Sequence, residues 1–398
     1  MNIIQKPKYR LVPAYSDIVF AVEDTVIIST KANVKYIAEV SISNQTITAS
    51  DLIGTFKVTP NNAGVGIFDF SKVVESYVGS DNLGGIVGSA NPSNASSFKG
   101  TLFTDETPHS IHTIDKFATN KNSVKFLQIT FKIQYSDTLG GDVSVDQTIV
   151  VTSDVFYIYN GTVQEEDNLV LDSSGNYGYN LDANNYIMND TSAKFLTNCP
   201  TTINIGTNDY HTLAFFSDYD LDFKVGGATA DNQIKDVIIK FYDTINAGGS
   251  LTATVTRNNT PANGGKRSFV DETNNKLIFL GCGMANIRNT LSSSIYVDAK
   301  SYTVQARDSQ GTNVSQLYLF NIIDNDCKGF EKIRLTWLNR LGAWDYYSFT
   351  KRSVRSVETN RTSYKQLSGT WNERKYKIHG FKGGQKTFKT MSKERIIL

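Results

Sequence analysis

Residues 127–135 alternate strictly between apolar and polar side chains, and this period of two constrains the fold more than any other feature. A β-strand places successive side chains on opposite faces, so such a segment has one buried and one solvated face. The same alternation occurs at 36–42 and at 332–337. Glycine, asparagine and aspartate clusters separate the runs at spacings that suit β-sandwiches. Further strands are predicted at 18–22, 149–151, 155–159, 237–242, 251–255, 277–280, 302–306 and 316–323.

Helical patterns are scarce in this sequence. The best candidate is 71–78, which Asp69 or Ser71 would cap at its start and Gly79 would close. A further turn or two of helix is predicted at 284–290. We therefore predict a mainly β fold with two β-sandwich-like domains, one short helix, a basic C-terminal hairpin and an extended arm.

The pattern of strands and polar stretches divides the chain into three regions. Residues 1–160 are predicted to form an N-terminal β-sandwich domain. Residues 161–326 are predicted to form a second β domain. Residues 327–398 are predicted to form the basic hairpin and a C-terminal interaction arm.

The third region begins with a hairpin pattern. Residues 331–338 would pair with 345–351 around a turn at 339–342. Beyond the hairpin the periodicity weakens. Residues 379–398 contain glycines, lysines and an apolar tip, which is typical of an extended arm that orders on a neighbouring molecule.

Opposite charges are segregated along the chain. Residues 328–398 contain seventeen lysines and arginines against five acidic residues, a net charge of +12. The rest of the chain has 23 basic and 34 acidic residues, a net charge of −11, so the overall charge of +1 hides an acidic body and a basic end. Placing the basic end of one copy against the acidic body of the next builds head-to-tail rings or filaments. A basic end that binds nucleic acid is the alternative.

Aromatic residues are interleaved with the basic residues of this end. Tryptophan, tyrosine and arginine are common anchors of protein interfaces, whereas stacking aromatics with phosphate contacts bind nucleic acid. A charged face exposed only to solvent is the third alternative, and the compensating charge in the same chain argues against it. The predicted oligomer interface consists of Arg334, Trp337, Arg340, Trp344, Arg352, Arg355, Arg361, Arg374, Lys375, Lys377, Lys386, Lys389, Arg395, Ile396 and Ile397.

No motif in the sequence predicts catalysis, and we expect no catalytic, cofactor-binding or metal site. His109 and His112 have metal-ligand spacing, but no further ligand follows at a recognised distance, which favours a polar loop. Residues 218–222 begin like a calcium loop but lack its glycine and glutamate. Residues 380–387 lack the glycine that a phosphate-binding loop needs before its lysine. A hydrolase site in the polar stretch 164–190 is the remaining enzymatic alternative.

The sequence also bears on the cellular compartment. Three cysteines at wide spacing predict no disulfide framework. Residues 1–17 lack an apolar stretch of signal-peptide length, and no window approaches the run of about 20 apolar residues that spans a bilayer. We expect a protein that is made in the cytoplasm without a conventional secretion signal and does not contact a membrane.

Two segments carry a resemblance to known proteins. Residues 66–78 read as a glycine, then FDFSK, then a short predicted helix, and residues 335–349 read LTWLNRLGAWDYYSF. Both resemble segments of virion structural proteins of tailed phages that infect Bacteroidetes, including the crAss-like podovirus group. The order of two β domains followed by the second segment is also similar. The resemblance implies that the hairpin around Trp344 is structural, with Asn339 and Gly342 in its turn.

The resemblance further implies a non-enzymatic ring component of a phage tail or neck, made in the host cytoplasm and located in the virion tail. Such a protein would assemble head-to-tail into rings of six or twelve copies around the DNA passage. It would dock neighbouring tail or neck proteins and contact the genome DNA transiently. The alternatives are a receptor- or glycan-binding tail protein, and a nucleic-acid-binding protein that uses the basic end.

Overall fold

The computed structural model divides the chain into two compact units. Unit 1 comprises Met1–Asp324 and Thr336–Tyr346, and unit 2 comprises Asn325–Leu335 and Tyr347–Leu398. The division into domains at residues 160 and 326 stays a prediction. The structure describes residues 1–7, 10–44, 46–79, 112, 114–119, 122–162, 170–171, 177–178, 186, 188, 191–216, 234–260, 277–324, 330–365, 374 and 385–397.

Nine of the ten strands described before residue 160 form two sheets, in which all strand pairs but one are antiparallel. The strands are β1 (Asn2–Gln5), β2 (Leu11–Pro13), β3 (Val19–Glu23), β4 (Ala32–Ser43), β5 (Leu52–Val58), β6 (Val65–Asp69), β7 (Phe117–Thr119), β8 (Val124–Ser136), β9 (Ser144–Thr152) and β10 (Phe156–Tyr159). One sheet has the order β1-β3-β6, and the other has the order β2-β10-β8-β4-β5 with β9 also paired to β8. Within the second sheet, β2 and β10 run parallel.

A core between these two sheets explains the alternation in the sequence. Ile129, Phe131 and Ile133 on β8 are fully buried against residues of both sheets, including Phe20 on β3. On the outer face, Lys132 reaches Glu39 across the strand pair with an Nζ–Oε1 distance of 2.6 Å. The predicted mainly β, sandwich-like fold is confirmed.

The strands between residues 160 and 324 form a second pair of sheets. The strands are β11 (Val170–Leu171), β12 (Tyr177–Gly178), β13 (Thr202–Ile205), β14 (Thr212–Phe216), β15 (Asp236–Tyr242), β16 (Leu251–Asn258), β17 (Leu277–Gly281), β18 (Ser301–Arg307) and β19 (Tyr318–Ile322). The larger sheet has the order β13-β19-β18-β15-β16, and the smaller has the order β14-β17-β7. Strands β11 and β12 pair with each other. Since β7 belongs to the smaller sheet, a strand from before residue 160 completes it.

The smaller sheet is buried on both faces. Leu213 and Phe215 on β14 pack into the core shared with the larger sheet. Ala214 and Phe216, on the opposite face, pack into a third core with Tyr159 and other residues of the first region. Strands β14 and β17 are therefore continuous apolar runs instead of alternating ones.

Within the described residues, four short α-helices interrupt the strands: α1 (Thr25–Thr30), α2 (Ser71–Val74), α3 (Met284–Arg288) and α4 (Ser293–Tyr296). The predicted helix at 71–78 is confirmed as α2 followed by a 3-10 turn at Glu75–Tyr77. The Asp69 carboxylate accepts a hydrogen bond from the Ser71 amide at 2.9 Å. Helix α1 is rich in β-branched residues, which are typical of strands. It begins at Thr25 because the Asp24 carboxylate caps it by accepting a hydrogen bond from the Ile27 amide at 3.0 Å.

In the described segments after residue 324 there are four strands. A hairpin consists of β20 (Ile333–Leu338) and β21 (Trp344–Phe349), and a second pair consists of β22 (Val354–Lys365) and β23 (Gln385–Ile397). The hairpin agrees with the sequence prediction. The predicted extended arm is corrected, because most of its length is strand β23. One edge of β23 is paired in an antiparallel ladder with β22 of the same chain.

Candidate assembly interface

Strands β22 and β23 form a two-stranded ribbon, which we call the basic ribbon. Its ladder runs from the pair Val354–Ile397 to the pair Lys365–Gln385. One bulge interrupts it, where Phe388 is the extra residue between the partners of two consecutive β22 residues. Every residue of both strands is exposed. The ribbon therefore offers two complete faces to other molecules.

The ribbon carries a concentrated positive charge. Seven basic residues stand against Glu358 and Glu394, which gives the two strands a net charge of +5. The Arg355 Nη2 atom contacts both carboxylate oxygens of Glu331, at 2.7 and 2.8 Å, and Arg355 Nη1 lies 3.7 Å from Glu394. These pairs are exposed, so they fix the side chain of Arg355 more than they stabilise the fold.

One face of the ribbon combines apolar and basic side chains. Directly opposed residues of an antiparallel pair share a face, so the register places Val354, Ile397 and Met391 on one side. Tyr364 is on the same side, and its ring contacts that of Phe388 edge-on at 6.5 Å between centroids. We call this side the apolar-basic face. Its basic members are Lys386, Lys389, Lys393 and Arg395.

The apolar side chains of the apolar-basic face are largely exposed, although apolar side chains favour burial. Phe388 is 76% exposed, Met391 55% and Ile397 51%. An isolated two-stranded ribbon is at best marginally stable in water, and an exposed strand edge is a template for pairing with another chain. The ribbon has the physical properties of a surface that another molecule covers.

The structure brings seven of the predicted interface residues together on the basic ribbon. They are Arg355, Arg361, Lys386, Lys389, Arg395, Ile396 and Ile397. Arg352 is exposed just before β22, and Arg374 is also exposed. Lys375 and Lys377 lie outside the described residues. The sequence prediction missed the apolar residues that the ribbon adds to the candidate interface. The available signal was apolar residues placed between lysines and arginines; the residues are Val354, Val357, Tyr364, Phe388 and Met391.

The remaining predicted residues lie on the hairpin of β20 and β21. Arg334 donates a hydrogen bond from Nη1 to the Ser348 hydroxyl at 2.7 Å. Trp337 is 42% exposed and available to a partner. Arg340 donates from Nε to Asn198 at 3.1 Å and therefore supports the chain's own fold.

Trp344 requires a correction. The sequence placed it in the oligomer interface, but it is only 9% exposed and belongs to the third core. Its ring lies 5.0 Å from that of His112, edge to face. Tyr346 is buried beside it and hydrogen-bonds His112 Nδ1 and the Thr212 hydroxyl. Trp344 therefore stabilises the fold of its own chain and is not accessible to a neighbouring copy.

The tip of this hairpin is anchored by Asn339 and Gly342, as the structural interpretation of the hairpin predicts. The Asn339 side-chain oxygen accepts hydrogen bonds from the amides of Leu341 and Ala343, at 2.9 and 3.1 Å. Its amide nitrogen donates to the Leu196 carbonyl at 2.9 Å. Gly342 has a φ of +78°, a left-handed conformation that favours glycine. All three of these hydrogen bonds lie within unit 1.

Buried Asp345 holds the strand after the turn. It is 1% exposed, accepts a hydrogen bond from the Thr197 hydroxyl and accepts a second from the Asn198 amide at 3.1 Å. A buried carboxylate is tolerated only when its oxygens are paired in this way. Residues 339–346 of the motif thus pack into the protein core, whereas Trp337 and Tyr347 on either side of them are exposed.

An acidic and apolar surface lies at the turn between β8 and β9. Residues 136–152 contain three aspartates and neither lysine nor arginine. Leu139 at the turn is 89% exposed and Val143 is 43% exposed. Among the described strands, β9 pairs with β8 alone, so its outer edge is open. We call residues 136–152 the acidic hairpin; its aspartates are Asp137, Asp142 and Asp146.

Hydrogen bonds hold Asp146 of the acidic hairpin in its ionised form. Asp146 accepts hydrogen bonds from the hydroxyl and amide of Thr148, at 2.6 and 2.8 Å, and from the Tyr135 hydroxyl at 2.8 Å. These bonds favour the ionised carboxylate and lower the pKa of Asp146 to about 2. Asp137 pairs with Lys31 at 2.6 Å, which raises the pKa of the Lys31 amine. The hairpin is complementary to the basic ribbon in both charge and apolar content.

The described residues place no group of three or more histidine, cysteine, aspartate and glutamate side chains where they could hold a metal ion. His112 is a core residue bonded to Tyr346. His109, residues 218–222 and 380–384, and most of 164–190 lie outside the described residues. No helix in the described part of the chain is long and apolar enough to cross a membrane.

Comparisons with known proteins add no further constraint. The sequence matches no known protein family. No curated protein shows significant similarity to it.

Proposed function

We propose that this chain is a non-enzymatic structural protein of a phage virion, a tail or neck ring component that assembles head-to-tail. The observation that supports it most is the basic ribbon, whose 25 residues are all exposed and combine a net charge of +5 with an apolar stripe. A heterologous contact between two different surfaces of one chain generates a ring when the rotation closes.

The apolar side chains of the apolar-basic face favour a protein partner over permanent exposure to water. Fully burying a phenylalanine, methionine or isoleucine side chain contributes about 1.5–3 kcal/mol. Phe388, Met391 and Ile397 are all more than half exposed, so a partner that covers them gains several kcal/mol. The surrounding lysines and arginines steer the encounter and fix its orientation more than they add affinity.

The acidic hairpin of a second copy is the surface that complements the ribbon. It offers aspartates opposite the basic side chains and Leu139 and Val143 opposite the apolar stripe. The open edge of β9 also presents unpaired backbone groups to an incoming strand. One ribbon and one hairpin per copy give every subunit a donor and an acceptor surface, as a ring requires.

Light scattering and negative-stain microscopy of the full chain test this proposal. We expect rings in the unaltered protein. The double substitution Phe388→Ser and Met391→Ser removes about 3 kcal/mol of apolar contact and should weaken association about a hundredfold. Val357→Ser, on the opposite face of the ribbon, is the matched control and should assemble normally.

Two results would refute the ring proposal. One is an unaltered protein that stays monomeric at tens of micromolar. The other is assembly of the Phe388→Ser, Met391→Ser variant at the same concentration as the unaltered protein. Circular dichroism of the variants distinguishes lost assembly from lost folding.

Duplex DNA is the second candidate partner, because the major groove admits a two-stranded β-ribbon and lysines contact phosphates. Substituting Lys386 and Lys389 by alanine should then reduce DNA affinity and its salt dependence. The serine variant of the apolar stripe should leave DNA binding intact. Fluorescence anisotropy with a labelled duplex measures both, and an absence of binding at low salt excludes this candidate.

A further inference from the structure

A groove of about 370 Å³ opens on unit 1 beside helices α3 and α4. Its volume lies at the lower end of the roughly 300–1,000 Å³ that ligand sites span. Its lining is polar and aromatic, with two tyrosines, two asparagines and one arginine. The lining residues are Asn208, Tyr210, Ala285, Arg288, Asn289 and Tyr296.

The part of the groove lining that belongs to helix α3 is rigid, because buried Asn286 lies between the lining residues Ala285 and Arg288 and fixes this helix. The Asn286 side-chain oxygen accepts hydrogen bonds from the amides of His211 and Gly283, at 2.9 and 3.1 Å. Its amide nitrogen donates to the carbonyls of His112 and Ile114, at 2.8 and 2.7 Å. Asn286 is fully buried and uses four hydrogen bonds, which locks helix α3 to the neighbouring loop.

Gly283 allows the closest approach between helix α3 and this loop. A Cβ atom at Gly283 would lie 2.3 Å from the His211 amide nitrogen, so no larger residue fits. Asp209 fixes the same loop, because its carboxylate accepts from the Gly206 amide at 2.8 Å and its carbonyl accepts from the Ala285 amide at 3.1 Å. The groove is thus preorganised for a ligand, which lowers the entropic cost of binding.

Arg288 is held at the rim with part of its guanidinium available. Its Nη1 donates to Asn208 Oδ1 at 2.9 Å and to the Thr207 carbonyl at 3.4 Å. Its Cζ lies 6.0 Å from the centre of the Tyr296 ring. Among the described residues, its Nε and Nη2 atoms make no hydrogen bond. An arginine fixed through one nitrogen presents its other two to a planar anion such as a carboxylate.

We propose that this groove binds a saccharide that carries a carboxylate, such as a uronic or sialic acid unit of a polysaccharide. Tyr210 and Tyr296 offer aromatic surface for the C–H face of a sugar ring. The Asn208 side-chain oxygen is already used by Arg288, so its amide nitrogen is the group that offers a donor to a sugar hydroxyl. Arg288, the only charged residue among the described lining residues, takes the carboxylate. This site is separate from the basic ribbon and does not depend on the proposed ring assembly.

The test is direct binding by the full chain to matched acidic and neutral saccharides. The probes are trigalacturonate against its methyl ester, and sialyllactose against lactose, followed by calorimetry or saturation-transfer NMR. We expect binding to at least one acidic saccharide and at least about tenfold weaker binding to its neutral counterpart. Inorganic phosphate at the same concentration serves as the simple-anion control.

Three variants locate the binding in the groove. Arg288→Gln should weaken binding of the acidic saccharide about tenfold, to the level of the neutral one. Tyr296→Ala should weaken binding of both members of a pair. Tyr15→Ala removes another half-exposed tyrosine outside the groove and should change nothing. Thermal unfolding of each variant establishes that it is folded.

Three outcomes would overturn the proposal. The first is no binding of any acidic saccharide at millimolar concentration. The second is equal affinity for acidic and neutral saccharides, which would remove the role of Arg288. The third is competition by phosphate at equal affinity, which would make the groove a general anion site.

Discussion

Replacing Gly342 by alanine tests the backbone geometry at the tip of the β20–β21 hairpin. Replacing Gly311 by alanine is the matched control. An alanine at a φ of +78° costs about 1–2 kcal/mol from backbone sterics. The added Cβ would also lie 1.9 Å from the Asn160 carbonyl oxygen, where contacts under 3.0 Å essentially do not occur. The tip or the segment around Asn160 must therefore move by about 1.1 Å.

That movement acts on hydrogen bonds that hold the tip in the third core. The Thr162 amide donates to the Arg340 carbonyl at 2.6 Å, and Asn339 donates to Leu196 at 2.9 Å. Losing two such bonds costs about 1 kcal/mol each. The expected loss of unfolding free energy for Gly342→Ala is therefore about 3–4 kcal/mol. Gly311 has a φ of +83° and nothing within 4 Å of an added Cβ, so Gly311→Ala should lose about 1–2 kcal/mol.

Urea denaturation followed by tryptophan fluorescence measures this difference. The chain has three tryptophans, and replacing Trp337 and Trp371 by phenylalanine leaves buried Trp344 as a reporter beside the tip. We expect Gly342→Ala to unfold at clearly lower urea than Gly311→Ala in this background. Equal losses in the two variants, within about 0.5 kcal/mol, would refute the claim that the Asn160 contact constrains position 342.

Two further predictions concern aspartates. Asp345→Asn should lower the unfolding free energy by about 1.5–3 kcal/mol, because a buried charge-assisted acceptor is lost; an unchanged urea midpoint would contradict this. Asp146 has a folded pKa of about 2, below its reference value of 3.8, so its stabilising contribution is complete above about pH 4 and is lost as the pH falls through 2. The difference in melting temperature between the unaltered protein and Asp146→Asn should be constant above pH 4 and vanish near pH 2; a constant difference down to pH 2 would contradict the role of its hydrogen bonds.

Strands that bury one face have the clearest signal in the sequence, whereas of the two strands β14 and β17, which are buried on both faces, only β17 was predicted. The alternation at 127–135 and at 36–42 corresponds to β8 and β4, each with one face on a core. Strand β14 is buried on both faces and has no alternation, so the pattern does not reveal it. Helix α1 was missed because its β-branched residues favour strands and its capping aspartate is the only helical signal.

The candidate interface was predictable in composition and not in shape. Charge counting located the basic end, including Arg355, Lys389 and Arg395. The pairing of β22 with β23 was missed because neither strand buries a face within the chain, and periodicity records burial. Trp344 was misplaced because its burial depends on contacts with residues such as His112, more than 200 positions away, and sequence spacing carries no information about such contacts.

The third core has a consequence for how the protein is made. Its side chains come from Leu11 near the start of the chain and from Leu341–Tyr346 near the end. Residues 11 to 346 must therefore all have left the ribosome before this core can close. Until then Phe126, Tyr157 and Phe216 lack their contacts with residues 341–346. The nascent chain therefore exposes apolar aromatic side chains until residue 346 has emerged. Chaperone capture during synthesis should protect the chain until residue 346 emerges.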